Sequence, residues 1–158
     1  ASDVYKRQNP MGRQWFDLGD MTEGPQVAAA VILPSVQAAC DELGLDHTAV
    51  ALTGFSQGGM MSLHCGLSMD PPPAAIVSFS GALLQKEAIA DLETRPAVML
   101  VHGTDDAVVP FSMMATASGI LGEHGIEAAC VSRPGLGHGI DSDALTAAID
   151  FLADALPG

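Results

Sequence analysis

The distribution of apolar and polar residues along the chain predicts alternating strands and helices. Four short runs are apolar at nearly every position and lie between turn residues, which is typical of strands buried on both faces of a parallel sheet. Longer segments with apolar residues three and four positions apart predict helices. We therefore expect an α/β fold in which about four parallel strands are flanked by helices. The predicted strands are 48–53, 74–80, 96–102 and 127–133, and the predicted helices are 24–43, 59–68, 84–92, 111–124 and 141–156.

Two residues modify the predicted helices. Pro34 lies inside the first helix, where its ring and its missing N–H predict a kink or a split. Asp141 begins the last helix, and its side chain is a good N-cap because it can accept a hydrogen bond from a free N–H of the first turn.

The start of the chain differs in composition and in apolar periodicity from the rest. Residues 1–9 include Lys6 and Arg7 and show no apolar periodicity, so we interpret them as a non-native leader or a disordered segment. The remaining residues, 10–158, have the length of one domain or of part of a larger one.

Composition narrows the class of protein. Hydrophobic residues make up 48% of the 158 positions, which argues against disorder. Six basic residues stand against 19 acidic ones, for a net charge of −13, so binding to nucleic acid or to an anionic membrane surface is disfavoured. No apolar run reaches the roughly 18 residues of a membrane span. The chain has three cysteines, which are widely spaced and form no CxxC pattern. This predicts reduced thiols in a cytoplasmic protein rather than disulfides or a metal site.

The segment TGFSQGG, residues 53–59, carries the most informative motif. It contains the pattern Gly-x-Ser-x-Gly centred on Ser56, between a predicted strand and a predicted helix. A tight reversal from strand to helix holds such a serine in a strained conformation, and we expect side chains at Gly54 and Gly58 to collide there. The turn presents the hydroxyl at a helix N-terminus, where negative charge is favoured.

A base and an acid follow Ser56 in the order that this motif requires. A serine hydroxyl is a weak nucleophile until a base removes its proton, and the base needs an acid that orients it. The third predicted strand is followed by two acidic candidates, Asp105 and Asp106, and the fourth by His138 in a glycine-flanked loop. Because the carboxyl ends of parallel strands meet at one edge of the sheet, we expect these side chains to converge. His102, at a strand end, is interpreted as a structural histidine that bonds to its own loop.

Several segments together resemble the phospholipase/carboxylesterase family of α/β-hydrolases, which includes the acyl-protein thioesterases. The resemblance spans residues from 11 to 156 and is carried by GFSQGG, HGTDDAVVP and GLGHG, with GRQWFDL at 12–18 as a weaker match. It implies that Ser56 is the nucleophile, that His138 is the general base and that Asp106 is the acid, with Asp105 as the alternative. Residues 10–158 would then form a partial α/β-hydrolase domain, corresponding to its C-terminal half.

The resemblance also implies roles for residues around the serine. The backbone N–H of Gln57 would be one oxyanion donor. Trp15 would lie near the acyl pocket, although a core anchor is an equal interpretation. Leu83 follows a predicted strand and either lines an acyl channel or packs in the core.

The implied activity is hydrolysis of carboxylic ester or thioester bonds in small acyl substrates through an acyl-enzyme, without cofactor or metal. One part of the family's fold is missing: the HG-rich oxyanion loop and the strands that come before the strand 48–53 have no counterpart in this sequence. We therefore expect an N-terminally truncated hydrolase whose second oxyanion donor lies outside this sequence and whose strand 48–53 is an exposed edge. The alternative is a catalytically incompetent fragment, or pseudo-hydrolase, that only binds acyl ligands.

Overall fold

The computed structural model describes residues 14–89 and 94–157; the interpreted leader, 1–9, lies outside them. Within the described residues, four parallel strands form one sheet in the order β1-β2-β3-β4, with helices on both faces. This confirms the α/β prediction. The strands are β1 (Ala51–Phe55), β2 (Ala75–Phe79), β3 (Ala97–Gly103) and β4 (Ala128–Arg133), and the helices are α1 (Gly24–Leu43), α2 (Gln57–Ser68), α3 (Ser112–Glu123) and α4 (Ser142–Ala155).

The sheet is covered by helices on both faces. Alternate strand residues point in opposite directions, so Ile76 and Leu100 pack against α2 and α3, whereas Val77 and Val101 pack against α4. Every residue of β2 is buried, while β1 and β4, at the outside of the described sheet, are partly exposed. The unbroken apolar runs in the two central strands follow from this double coverage.

Strand pairing sets the position of the functional edge. The register aligns Phe55 of β1 with Phe79 of β2, and Gly103 of β3 with Arg133 of β4. All four strands run in the same direction, so the turns that follow β1, β3 and β4 emerge at the same edge of the sheet.

The structure corrects three details of the predicted elements. The first strand begins at Ala51 rather than at 48, because the Asp46 side chain accepts a hydrogen bond from the Thr48 N–H at 2.9 Å and stabilises a 3-10 turn over His47–Ala49. The helix α1 is not split at Pro34, which is exposed, so the carbonyl left without an N–H partner is open to water. The predicted helix 84–92 contributes only a 3-10 turn at Lys86–Ala88, and its end lies outside the described residues.

The helices of the described part of the chain include none with the length and apolar character that a membrane crossing requires.

The turn between β1 and α2 depends on two close backbone approaches. A Cβ on Gly54 would lie 2.2 Å from the carbonyl carbon of Gly58, and one on Gly59 would lie 2.7 Å from the Ser78 Oγ. A Cβ on Gly58, in contrast, would meet no heavy atom of the described structure within 4 Å. The expectation of a collision at both motif glycines is therefore correct for Gly54 and wrong for Gly58, because Gly59 rather than Gly58 faces the sheet.

This difference predicts opposite effects of the same substitution. We expect Gly54→Ala to lower the free energy of unfolding by about 2–3 kcal/mol or more, since backbone atoms cannot yield to the new methyl group. Gly58→Ala should leave it unchanged or raise it by about 0.4–1 kcal/mol, because alanine restricts the unfolded chain and favours the helix. Urea unfolding of both variants beside wild type measures the two effects, and equal destabilisation by both would contradict the described turn.

Candidate active site

The turn after β1 presents Ser56 in a strained backbone conformation. Its φ is 55° and its ψ is −120°, in a region that residues with side chains rarely adopt. The Ser56 N–H donates to the carbonyl of Phe79 at 2.8 Å, and the Ser56 carbonyl accepts from the Met60 N–H at 3.0 Å. The turn is therefore held between β2 and the first turn of α2, with the Ser56 hydroxyl outside the sheet.

The structure brings Ser56, His138 and Asp106 into one hydrogen-bonded series. The Ser56 Oγ lies 3.0 Å from the His138 Nε2, and the His138 Nδ1 lies 2.8 Å from the Asp106 Oδ2. A carboxylate can only accept, so the Nδ1–H donates to Asp106 and the Nε2 is left to accept the hydroxyl proton of Ser56. The hydrogen bonding thus selects the tautomer in which the imidazole can act as a base toward Ser56.

The carboxylate of Asp106 is buried, and both of its oxygens accept hydrogen bonds. Its Oδ1 accepts from the N–H groups of Val108 and Val109, each at 2.9 Å, while its Oδ2 accepts from His138. Burial by itself raises the pKa of Asp106, but the hydrogen bonds from His138, Val109 and Val108 outweigh it and leave the pKa below its ordinary value. Asp106 is therefore an ionised and oriented partner for His138 at neutral pH.

Asp105, the alternative acid, points elsewhere. It is exposed, and its Oδ1 accepts from the Thr104 Oγ1 at 2.9 Å. The Thr104 Oγ1 in turn accepts from the Gly135 N–H at 2.9 Å, and the Asp105 N–H donates to the Leu136 carbonyl at 3.0 Å. Asp105 and Thr104 thus join the loop of the acid to the loop of His138.

Two further contacts hold the loops in place. The buried His102 has its Nε2 2.9 Å from the Val109 carbonyl and 3.4 Å from the Asp106 Oδ2, so its N–H ties down the loop that carries Asp106, in line with its expected structural role. The Arg133 Nε lies 3.0 Å from both carboxylate oxygens of Asp141, which also caps α4 through the Ala144 N–H at 2.8 Å. The hydrogen bond from Arg133 lowers the pKa of Asp141, so the pair that closes the His138 loop stays charged.

A mainly apolar cavity of about 280 Å³ opens beside Ser56 and His138. This volume is just below the roughly 300–1,000 Å³ usual for small-molecule sites. Methionine side chains are adaptable and suit a flexible apolar ligand. The apolar residues that line the cavity include Leu18, Met21, Met60, Val108, Val109 and Met113.

The two predicted substrate-binding residues lie outside the residues that line this cavity. Trp15 is 52% exposed and lines a second cavity of about 410 Å³, between β1, α1 and α2. Leu83 is partly buried and packs against the core cluster of α2, β2, β3 and α3, while its neighbour Ala82 lines the cavity beside Ser56. Sequence reasoning missed Leu18, Met21 and Met113, since no periodicity distinguishes an apolar residue that lines a cavity from one that fills a core.

In the described part of the chain, we also looked for metal sites and reactive thiols. There, His, Cys, Asp and Glu side chains form no group of three that could hold a metal ion. Cys40, Cys65 and Cys130 are free, and burial raises the pKa of the Cys65 thiol to about 11, which keeps that thiol protonated and unreactive.

The fold and the Gly-x-Ser-x-Gly turn define an α/β-hydrolase, and comparisons with known proteins place it more closely. A profile of the phospholipase/carboxylesterase family matches residues 2–156, and the chain belongs to this family. The chain is 30% identical to the esterase YpfH of Escherichia coli over 94% of its own length, and 32% identical to acyl-protein thioesterase 1 of Neurospora crassa over 72%. It superimposes on the crystal structure of esterase PE8 with a TM-score of 0.86 and 36% identity, covering 94% of this chain and 73% of that one.

The chain is shorter than these relatives. It spans 66% of the Escherichia coli esterase and 49% of the Neurospora thioesterase.

The hydrogen bonds to the ionised Asp106 carboxylate predict a contribution to stability that depends on pH. Its pKa lies below the roughly 3.9 of an unfolded aspartate, so the contribution is complete above about pH 5 and is lost as the pH falls through the folded-state pKa. We expect wild type to be more stable than Asp106→Asn at about pH 7, and the difference to shrink toward about pH 3 in denaturant unfolding. Asp150→Asn, on the exposed face of α4, is the control and should change little at either pH. A difference for Asp106→Asn that is the same at both pH values would contradict the buried, ionised carboxylate.

Proposed function

We propose that this chain carries the active site of a serine hydrolase that cleaves carboxylic ester or thioester bonds. The observation that carries the proposal is the hydrogen-bonded series from Ser56 through His138 to Asp106, at the mouth of an apolar cavity. The esterases and thioesterases among its relatives support the same reaction class.

Each residue has a defined part in the reaction. As the Ser56 Oγ attacks the carbonyl carbon of the substrate, the His138 Nε2 takes the hydroxyl proton, and ionised Asp106 stabilises the imidazolium that forms. The tetrahedral intermediate then expels the alcohol or thiol, which receives this proton from His138, and the acyl group stays on Ser56 as an ester. His138 next removes a proton from water, the water attacks the acyl-enzyme, and the carboxylic acid leaves as Ser56 regains its proton.

The backbone N–H of Gln57 is proposed as one donor to the oxyanion. Gln57 is the first residue of α2, and the N–H at that position has no acceptor within the helix. It points toward the N-terminal end, where the helix dipole favours the developing negative charge. The second donor is proposed to lie outside the described residues, as the family resemblance implies.

The surroundings of the site favour an uncharged acyl chain as the ligand. The cavity beside Ser56 is lined largely by aliphatic and methionine side chains, and its volume favours a short or medium chain over a long one. The protein's net charge of −13 makes a polyanionic partner such as nucleic acid unsuitable. Three free cysteines suit a reducing compartment, and we propose the cytoplasm.

Covalent labelling tests the nucleophile directly. A fluorophosphonate probe should label wild type and fail to label Ser56→Ala, because the probe reacts only with a serine that a base activates. Ser62→Ala, which removes another hydroxyl of the same segment, is the matched control and should be labelled like wild type. A folded wild-type chain that takes up no probe would overturn the proposal and favour a protein that binds acyl ligands without turnover.

The two neighbouring aspartates should differ strongly in their effect on activity. Asp106→Asn should lower kcat/KM for a p-nitrophenyl ester on the order of 10⁴-fold, because an amide supports the wrong imidazole tautomer and cannot balance the imidazolium charge. Asp105→Asn should lower it by less than about tenfold, since this side chain only bonds to Thr104. Similar losses in both variants would remove Asp106 from its assigned role.

A further inference from the structure

A short segment before α1 forms one wall of the cavity beside Ser56. We call residues 14–23 the strap. Leu18 and Met21, within the strap, line the cavity, and Phe16 is its one deeply buried large side chain. Leu18 is partly buried against the core cluster that contains Phe16, and most of the remaining strap residues are exposed, so apolar burial alone anchors the strap at few points.

The side chain of Gln57 holds one end of the strap. Its Oε1 accepts from the Trp15 N–H at 2.8 Å, and its Nε2 donates to the Phe16 carbonyl at 2.7 Å. The amide thus accepts from one residue and donates to the next, which fixes both the direction of the strap and its distance from α2. Gln57 is also the residue whose backbone N–H is proposed to face the oxyanion.

A second glutamine holds the other end. The Gln85 Nε2, in the loop after β2, donates to the Thr22 carbonyl at 2.6 Å. Between the two attachments, the Asp17 carbonyl accepts from the Asp20 N–H at 2.8 Å and closes a turn. This turn lies between the attachments and carries Leu18, with Met21 directly after it, so the position of the apolar wall depends on both glutamines.

We propose that the side chain of Gln57 is a positioning residue that sets the preference for acyl-chain length, by holding the strap against the cavity. The inference rests on the proposed hydrolase function. An acetyl group needs only the space next to Ser56, whereas a medium acyl chain also needs the wall formed by Leu18 and Met21. When the amide is lost, the strap keeps the buried Phe16 and the bond from Gln85 but loses both hydrogen bonds that fix its direction near Ser56. The contacts of the longer chain then weaken more than those of the shorter one.

Kinetics with two esters test the preference. Gln57→Leu removes both hydrogen bonds at similar volume, and Gln57→Glu keeps an acceptor for the Trp15 N–H while losing the donor to the Phe16 carbonyl. Both should raise KM for p-nitrophenyl octanoate roughly tenfold, the range for lost apolar contacts in a pocket, and by clearly less for p-nitrophenyl acetate. The ratio of kcat/KM for octanoate over acetate should fall accordingly. Gln37→Leu, on an exposed part of α1 where the amide bonds only to Asp41, is the matched control and should keep the wild-type ratio.

Fluorescence tests the position of the strap without any turnover. Trp15 is the single tryptophan of the chain and lies in the strap, so quenching by acrylamide reports on the strap alone. Release of the strap should increase the quenching of Trp15 in both Gln57 variants and not in Gln37→Leu. Gln85→Leu, which lies away from the turn of Ser56, should shift the ester ratio and the quenching in the same direction, and it decides the question if the Gln57 variants do not fold.

The outcomes distinguish the proposed hydrolase function from the role of Gln57. Wild type that takes up no fluorophosphonate overturns the proposed function itself. Labelled wild type, with an ester ratio unchanged in the Gln57 and Gln85 variants, overturns only the role of Gln57 in chain-length preference. A lower ratio with unchanged Trp15 quenching also overturns it, because the effect would then not arise from the strap.

Discussion

The turn between β1 and α2 holds Ser56 at a φ of 55°, and the geometry of the site depends on this strained conformation. The strain persists because the surrounding contacts fix the backbone of the turn. The Ser56 N–H is hydrogen-bonded to β2, and Gly54 approaches α2 too closely for any side chain. The same reversal places the first N–H of α2 beside the hydroxyl. The Ser56 hydroxyl and the backbone N–H of Gln57 are thus positioned by one backbone feature.

Asp106 and His138 lie on two loops that are joined to each other. Thr104 and Asp105 connect the loop after β3 to the loop after β4, and the ion pair of Arg133 with Asp141 closes the second loop at its far end. The distance between Asp106 and His138 is therefore set by contacts between and within the two loops as well as by the two side chains themselves. An oriented imidazole loses little conformational entropy when it begins to accept a proton, which is how preorganisation favours catalysis.

The relatives show how much sequence this arrangement tolerates. The chain shares 36% identity with esterase PE8 and still superimposes with a TM-score of 0.86, because the fold requires apolar strands and a few glycines at fixed places rather than a particular core. The wall of the cavity, in contrast, includes an exposed strap attached by amide side chains. If the strap has its proposed role, a change in it or in its two glutamines alters the preferred ligand while Ser56 and His138 stay in place.

The sequence by itself determined the order of strands and helices and the convergence of Ser56 and His138 at one sheet edge. Apolar runs, glycine spacing and chain order carry that information locally. It could not decide between Asp105 and Asp106 from the residues alone, because the two are adjacent and of one type; the backbone N–H groups of Val108 and Val109 select Asp106. Nor could it show that Leu18 and Met21 line the cavity beside Ser56, because the lining of a cavity follows from contacts between segments far apart in the chain. Tertiary structure decided these points, since they depend on which backbone groups lie within hydrogen-bond distance after packing.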